Sequence, residues 1–288
     1  MEQAAVNDGQ NWALEADVLV IGSGAAGLPA AIKAVEGGAS VIVIETNYDV
    51  GGHAILSGGH MALGGGTSAQ KKYDIADSPD TVFSDLTDWS IVQPNGSPDF
   101  RYNDRAVMRA FADHCAPTFE FLLANGVEFT DKAPDNHGAP TTGNSAPREN
   151  HAFWTKGAGL ESPNAAPGTG VIRPLEASAR AKGVRFLLNY KMTSLIREPS
   201  AGKDAGRVIG MIAEHTPRIM PGAAAPLKSF RSDGNIEKAE PKLKLRAKKA
   251  VIVATGGSTS DIQFRRMFDP RLTPVIQVGG EPYSYQDA

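Results

Sequence analysis

The segment from Asp17 to Glu45 constrains the fold more than any other part of the chain. Asp17-Val18-Leu19-Val20-Ile21 is a short apolar run that stops at glycine, the pattern of a strand buried in a parallel sheet. Ala25 to Glu36 is alanine-rich and reads as a helix; Pro29 falls early in it, where a missing N–H costs least, and Gly37-Gly38 stops it. Ser40-Val41-Ile42-Val43-Ile44-Glu45 is the next apolar strand, so the segment is one complete βαβ unit.

Gly22-Ser23-Gly24-Ala25-Ala26-Gly27 joins the first strand to the helix. In that context Gly22 permits a tight turn, Gly24 lets the backbone touch a pyrophosphate, and Gly27 lets the helix pack on the strand. The helix start then offers free N–H groups and a partial positive charge to the phosphates. Glu45 ends the second strand, where a carboxylate accepts hydrogen bonds from ribose hydroxyls and repels a 2′-phosphate; NADP is thereby disfavoured. NAD and FAD both fit so far. The next loop separates them, because Gly51-Gly52-His53-Ala54-Ile55-Leu56-Ser57-Gly58-Gly59 stands where an NAD dehydrogenase would run on into another βαβ repeat. An extended FAD needs such a backbone-lined path toward its isoalloxazine. Glycines cluster at 22–27, 51–66, 157–170 and 256–257, as expected if several loops converge on one extended ligand.

Beyond residue 69 the pattern turns helical. Apolar positions at helical spacing mark Thr81 to Trp89 and Asp104 to Asn125, the second with Val107, Phe111, Phe119, Leu122 and Leu123. Residues 131–168 are rich in Pro, Gly, Asn and Ser and read as a long irregular stretch. Val171 to Lys182 reads as a helix, Val184 to Leu188 as a strand, Met192 to Ile196 and Val208 to Ala213 as an antiparallel pair, and 214–237 as a loop. Lys242 to Ala247 alternates basic and apolar residues, the mark of a half-exposed strand, and Ala250 to Ala254 reads as a third buried strand ending at Thr255-Gly256-Gly257.

At this point the chain resembles the fumarate reductase and succinate dehydrogenase flavoprotein family, which includes ketosteroid dehydrogenase-like members. The matching pieces are Asp17 to Glu45, the Gly51-Gly52-His53 and Ser57-Gly58-Gly59 loop, Gly168-Thr169-Gly170 opening a helix, and Ala254-Thr255-Gly256-Gly257. The resemblance implies an α/β chain: a Rossmann-type FAD-binding fold with a parallel central sheet, a small antiparallel β element and a helical insertion, the capping domain being largely absent. It divides the chain into a polar tail at 1–16, an FAD-binding domain at 17–257 with an insertion at 70–166, and the start of a capping region at 258–288. It gives Gly22, Ser23, Gly24, Ala25, Ala26 and Gly27 the pyrophosphate. Glu45, with Thr46 beside it, takes the adenosine ribose, and Met192 or a neighbour offers its backbone to the adenine. Gly52, His53, Ser57, Gly58 and Gly59 line the flavin, and Ala254, Thr255 and Gly256 form the return strand past the cofactor.

Members with covalent FAD carry a histidine at the position that is Gly52 here; His53 falls one residue late, so the resemblance implies non-covalent FAD. His53 either contacts the flavin or caps a turn. The family's catalytic arginine and completing C-terminal segment lie beyond the part matched. No catalytic residue is assigned, and a companion chain is one way to supply the rest. The reaction implied is hydride transfer between flavin and a carbon–carbon bond next to a carbonyl, on a small carboxylate or steroid-like substrate. The competing expectations are a non-catalytic remnant or half of a split enzyme, and an NAD-dependent dehydrogenase.

Composition narrows the remaining classes. A net charge of -3 points to neither nucleic acid nor an anionic membrane, and no apolar run suggests a span. The lone cysteine, Cys115, excludes an internal disulfide, suits a buried structural role and favours a reducing, cytoplasmic setting. His60, His114, His137, His151 and His215 show no metal-ligand spacing, so no metal is expected. Ser57 lacks the strand–turn–helix context of a nucleophile elbow. Arg101, Arg105 and Arg148 read as surface charges.

Overall fold

The computed structural model describes residues 11–87, 104–136, 145–152, 168–199, 206–257, 262–271 and 273. Its elements in chain order are β1 (Leu14–Ile21), α1 (Gly27–Glu36), β2 (Val41–Glu45), β3 (His60–Ala62), α2 (Ser68–Lys72), α3 (Pro79–Thr87), α4 (Arg105–Ala124), β4 (Glu149–His151), α5 (Thr169–Ala181), β5 (Arg185–Leu188), β6 (Tyr190–Arg197), β7 (Val208–His215), β8 (Lys242–Val253) and α6 (Ile262–Phe268). They fall into two compact units, one comprising residues up to Ala54 and from Glu176 onward, the other Ile55–Leu175.

The first unit is built on a six-stranded sheet in the order β5-β2-β1-β8-β7-β6. β1 lies between β2 and β8 and runs parallel to both; β5 adds to β2 in parallel. All of β2 is buried, and Leu28 and Ile32 of α1, one turn apart, are fully buried. The pair β6 and β7 is antiparallel, as expected, and extends the main sheet because β7 pairs antiparallel with β8; β3 and β4 form a separate small antiparallel sheet.

Two strand readings need correcting. β1 begins at Leu14, ahead of the apolar run, because β8 is long enough to pair Leu14 with Leu245 and Ala16 with Ala247. A partner strand here overrides the weak local signal. The two stretches at Lys242 to Ala247 and Ala250 onward are one continuous strand. Its first half alternates as expected, with Leu243, Leu245 and Ala247 buried. Its second half is not buried, and Val253 is 58% exposed. The cause lies in the pairing: β7 reaches only Lys242 to Arg246, so past that point β1 is the one strand partner of β8 among the described residues.

In the second unit α4 has the limits its sequence predicts. Asp104 caps it, accepting from the amides of Ala106 and Val107, and Asn125-Gly126 ends it. Its packed face matches the expectation in part. Ala112, Cys115, Phe119 and Leu122 form the buried stripe, at spacings of three and four, whereas Val107, Phe111 and Leu123 are exposed. Phe119 and Leu122 are buried as expected; the rest of the stripe passes through the small residues Ala112 and Cys115, which a search for large side chains does not mark. α3 starts at Pro79, behind a Ser78 hydroxyl that accepts from the Thr81 amide; residues 88–89 lie outside the described residues. The glycine-rich loop holds a short 3-10 turn, Gly52–Leu56, and then β3, and the irregular stretch holds β4, which pairs antiparallel with β3. Arg101, His137 and the last residues of the chain lie outside the described residues. No helix among the described residues is long and apolar enough to cross a membrane.

Candidate cofactor site

The glycine turn sits where β1 ends. The Gly22 amide donates to the Ile44 carbonyl at 2.8 Å, and the Ala254 amide donates to the Ile21 carbonyl at 2.8 Å, so the turn is held between the ends of β2 and β8. The three glycines differ in what they are for. Gly22 has φ +97°, and a Cβ there would lie 2.5 Å from the Ala254 carbonyl oxygen. A Cβ on Gly27 would lie 2.0 Å from the Gly22 carbonyl oxygen. Both are required by the protein's own backbone. Gly24 is not: a Cβ there would meet only the Gly51 carbonyl oxygen, at 3.8 Å. Its freedom is toward open space, in front of the start of α1. The N-cap of α1, Ala26, offers no side-chain cap, and Ala25 and Ala26 are exposed. Within that turn the Leu28 amide donates to the Gly24 carbonyl at 3.2 Å and the Ala30 amide to the Ala26 carbonyl at 3.1 Å, so it is the backbone ahead of them, from Gly24 to Gly27, that suits an anion.

Glu45 closes the other side of the turn. Its Oε2 accepts from the Ser23 amide at 3.0 Å and the Ser23 hydroxyl at 2.6 Å, and its Oε1 accepts from the Asn47 amide at 2.9 Å. Burial pushes the carboxyl up, against the pull of the Ser23 hydroxyl and the neighbouring amides. The Ser23 hydroxyl also accepts from the Gly51 amide, at 3.2 Å, so one serine links the glycine turn, the strand-end acid and the following loop. The carboxyl at this strand end therefore organises the turn. Thr46 follows it and is exposed, and Gly52 approaches Gly24, a Cβ on it lying 3.9 Å from the Gly24 Cα.

The remaining expected residues divide between the units. Met192 is half-buried on β6 beside Ala213, just past the reversal at Asn189, which follows the Leu188 partner of Glu45. Ala254, Thr255 and Gly256 continue β8 past the turn, and Gly256 has φ +89°. His53 is half-buried in the 3-10 turn. In the second unit the Ser57 hydroxyl accepts from the Gly59 amide at 3.2 Å, and the Ser57 carbonyl accepts from the Gly168 amide at 2.9 Å. Gly58 is exposed and Gly59 buried, its carbonyl accepting from the Ala152 amide.

Arg148 corrects the surface reading of that residue. It is 5% exposed, its Nε and Nη2 donating to the Asp77 carboxylate at 2.8 and 2.9 Å and its Nη1 to Asp85 at 2.6 Å. Burial raises the Asp77 carboxyl, but Arg148, the Gly65 amide and Gln70 outweigh it and hold the group at about 2. Gly64 must be glycine, since a Cβ would fall 2.5 Å from the Arg148 side chain. Partners 71 and 63 residues away leave no local trace in the sequence. Arg105 is exposed, as read, with its guanidinium 4.8 Å from the centre of the Phe83 ring. Cys115 is buried, and burial pushes its thiol up.

A family model for an FAD binding domain matches residues 17–280. The acrylate reductase flavoprotein subunit of Shewanella woodyi is 27% identical over 278 residues, covering 96% of this chain and 46% of that protein. The fumarate reductase (cytochrome) of Shewanella frigidimarina is 36% identical over 115 residues, 40% of this chain and 18% of that protein. Among solved structures, the 3-ketosteroid-Δ4-(5α)-dehydrogenase of Rhodococcus jostii superposes with a TM-score of 0.65 at 25% identity, covering 91% of this chain and 50% of that one. The chain thus spans about half the length, or less, of these relatives.

Proposed function

The chain belongs to the FAD binding domain family, and on that premise we propose that it is the FAD-binding part of an oxidoreductase of the fumarate reductase and ketosteroid dehydrogenase type. The observation that carries the proposal is the open face of Gly24 in front of an uncapped helix, backed by a buried strand-end acid. These groups fit FAD: Gly22 to Gly27 would cradle the pyrophosphate, Glu45 and Thr46 the adenosine ribose, and the Met192 backbone the adenine. Gly52, His53, Ser57, Gly58 and Gly59 would line the flavin end, with Ala254, Thr255 and Gly256 closing the path. Bound FAD would supply hydride transfer to or from a carbon–carbon bond next to a carbonyl. The part of this chain is to bind the cofactor and fix its orientation.

The finer reading is that FAD is held non-covalently, because Gly52 stands where the covalent members carry histidine. The substrate class is a small carboxylate or a steroid-like ketone, by analogy with the reductases and the dehydrogenase above. Residues 17–257 are the FAD-binding domain with an insertion at 70–166, and 258–288 begin a capping region. No residue of this chain is assigned a contact with substrate. A cytoplasmic setting rests on one consideration, that a single cysteine suits a reducing compartment.

The test is direct. Purified protein titrated with FAD is expected to take up flavin absorbance in a one-to-one ratio, and acid precipitation is expected to release all of it. Failure to take up flavin refutes the binding; flavin retained in the precipitate refutes the non-covalent attachment alone.

A further inference from the structure

β4 carries a grouping that chain spacing does not reveal. Side chains alternate along a strand, so Glu149 and His151 share one face and Asn150 takes the other. Asn150 is buried, and its amide donates to the carbonyls of Leu63 and Arg148. Cross-strand neighbours share a face as well. His60 of β3 pairs with His151 on one edge. On the other edge Asp135 bridges Glu149 through two backbone hydrogen bonds, each 3.0 Å. The result is two imidazoles and two carboxylates on one face of a short ladder. His151 Nε2 lies 2.7 Å from an Asp135 oxygen, and His60 Nδ1 lies 2.7 Å from a Glu149 oxygen. The two rings meet edge to face at 4.4 Å. Ligand atoms of Asp135, Glu149 and His151 all lie within 4.8 Å of one another, a grouping found once among the described residues.

We propose that Asp135, Glu149 and His151 bind a divalent first-row transition-metal ion, with His60 fixing the Glu149 carboxylate. One imidazole and two carboxylates make a borderline donor set that suits Zn²⁺ or Mn²⁺, with water in the remaining positions. Two carboxylates this close repel each other, and a dication between them removes that repulsion. Ligating carboxylates are themselves held by outer hydrogen bonds, the part His60 takes toward Glu149. The backbone is already fixed: the Arg148 amide donates to the Asp135 carbonyl at 3.0 Å, and the buried Arg148 side chain is tied to Asp77 and Asp85. Donor atoms within 4.8 Å of one another can reach a single ion at metal-bonding distances near 2.0–2.2 Å by side-chain rotation. His151 is 29% and Asp135 44% exposed, so an ion can enter from solvent. This proposal is independent of the FAD reading.

Tag-free protein, stripped with chelator, is titrated calorimetrically with zinc chloride and with manganese chloride. One site per chain is expected, with a Kd on the order of 10 µM or below for Zn²⁺ and weaker for Mn²⁺, as the Irving–Williams order requires. Asp135→Asn and His151→Asn should each weaken Zn²⁺ by about a hundredfold, and His60→Gln by about tenfold, as loss of an outer partner does. Zn²⁺ should raise the melting temperature of the parent and not of Asp135→Asn. If His151→Asn does not fold, the exposed Asp135→Asn carries the test alone. No saturable Zn²⁺ binding, or equal affinity in the parent and Asp135→Asn, overturns the proposal and leaves two histidine–carboxylate pairs.

Discussion

Replacing Gly24 by alanine separates binding from folding at the glycine turn. The added methyl has nothing nearer than the Gly51 carbonyl oxygen at 3.8 Å, and Gly24 lies outside the left-handed region, so the fold accepts it. Loss of chain entropy in the unfolded state should even add about 0.4–1 kcal/mol of stability. A pyrophosphate, in contrast, would have to approach through the space the methyl takes. Losing one charge-assisted hydrogen bond costs about 1.5–3 kcal/mol, which is about tenfold to a hundredfold in Kd. Gly27→Ala is the matched control. Its methyl would lie 2.0 Å from the Gly22 carbonyl oxygen, so strand and helix must part. An overpacking cost of about 3 kcal/mol corresponds to a melting temperature lower by on the order of 10 °C. FAD titration followed by flavin fluorescence, with thermal melts of both variants, makes the comparison. Gly24→Ala with unchanged FAD affinity and unchanged melting would refute the assignment of this turn to the cofactor.

Further tests address the buried charges. Burial raises the folded Glu45 carboxyl above its unfolded value near 4.5, so its contribution to stability is greatest at low pH and is lost as pH rises through the folded value. Glu45→Gln should therefore gain in relative stability from pH 4.5 upward, while weakening FAD; a gap between parent and variant that does not change with pH counts against this. Asp77 has the opposite sign. Its carboxyl is held at about 2 against an ordinary 3.8, so about 2 kcal/mol is present above pH 4 and lost as pH falls toward 2. Urea unfolding should show that loss in the parent and not in Asp77→Asn. Arg148→Met leaves two buried carboxylates unpaired and should cost about 3–5 kcal/mol; a cost under about 1 kcal/mol in a denaturant melt would remove Arg148 as the anchor of β4.

The legible parts of this molecule are those whose signal is local. The βαβ unit, its glycine turn and the caps of α4 follow from apolar runs, glycine spacing and an Asp104 placed one residue before the helix. What could not be read depends on residues far apart in the chain. Ala16 looks like tail until Ala247 pairs beside it, and Arg148 looks like surface until Asp77 and Asp85 fold over it. The face of α4 was legible at Phe119 and Leu122 but not at Ala112 and Cys115, where burial follows shape and not side-chain size. His151 gave no metal-ligand spacing because the acid beside it, Asp135, arrives from across a ladder.

The clasp between the glycine turn and Ala254 bears on when this protein can first hold a nucleotide. Gly22 and Gly27 are made long before the backbone that supports their turn, which comes from the far end of β8. Parallel pairing over such a separation forms late and slowly. A nascent chain still short of Ala254 would display the whole glycine motif and lack the wall behind it. Cofactor uptake on this scaffold thus waits until β8 has been made, and the earlier strands spend that interval with a sheet edge uncovered.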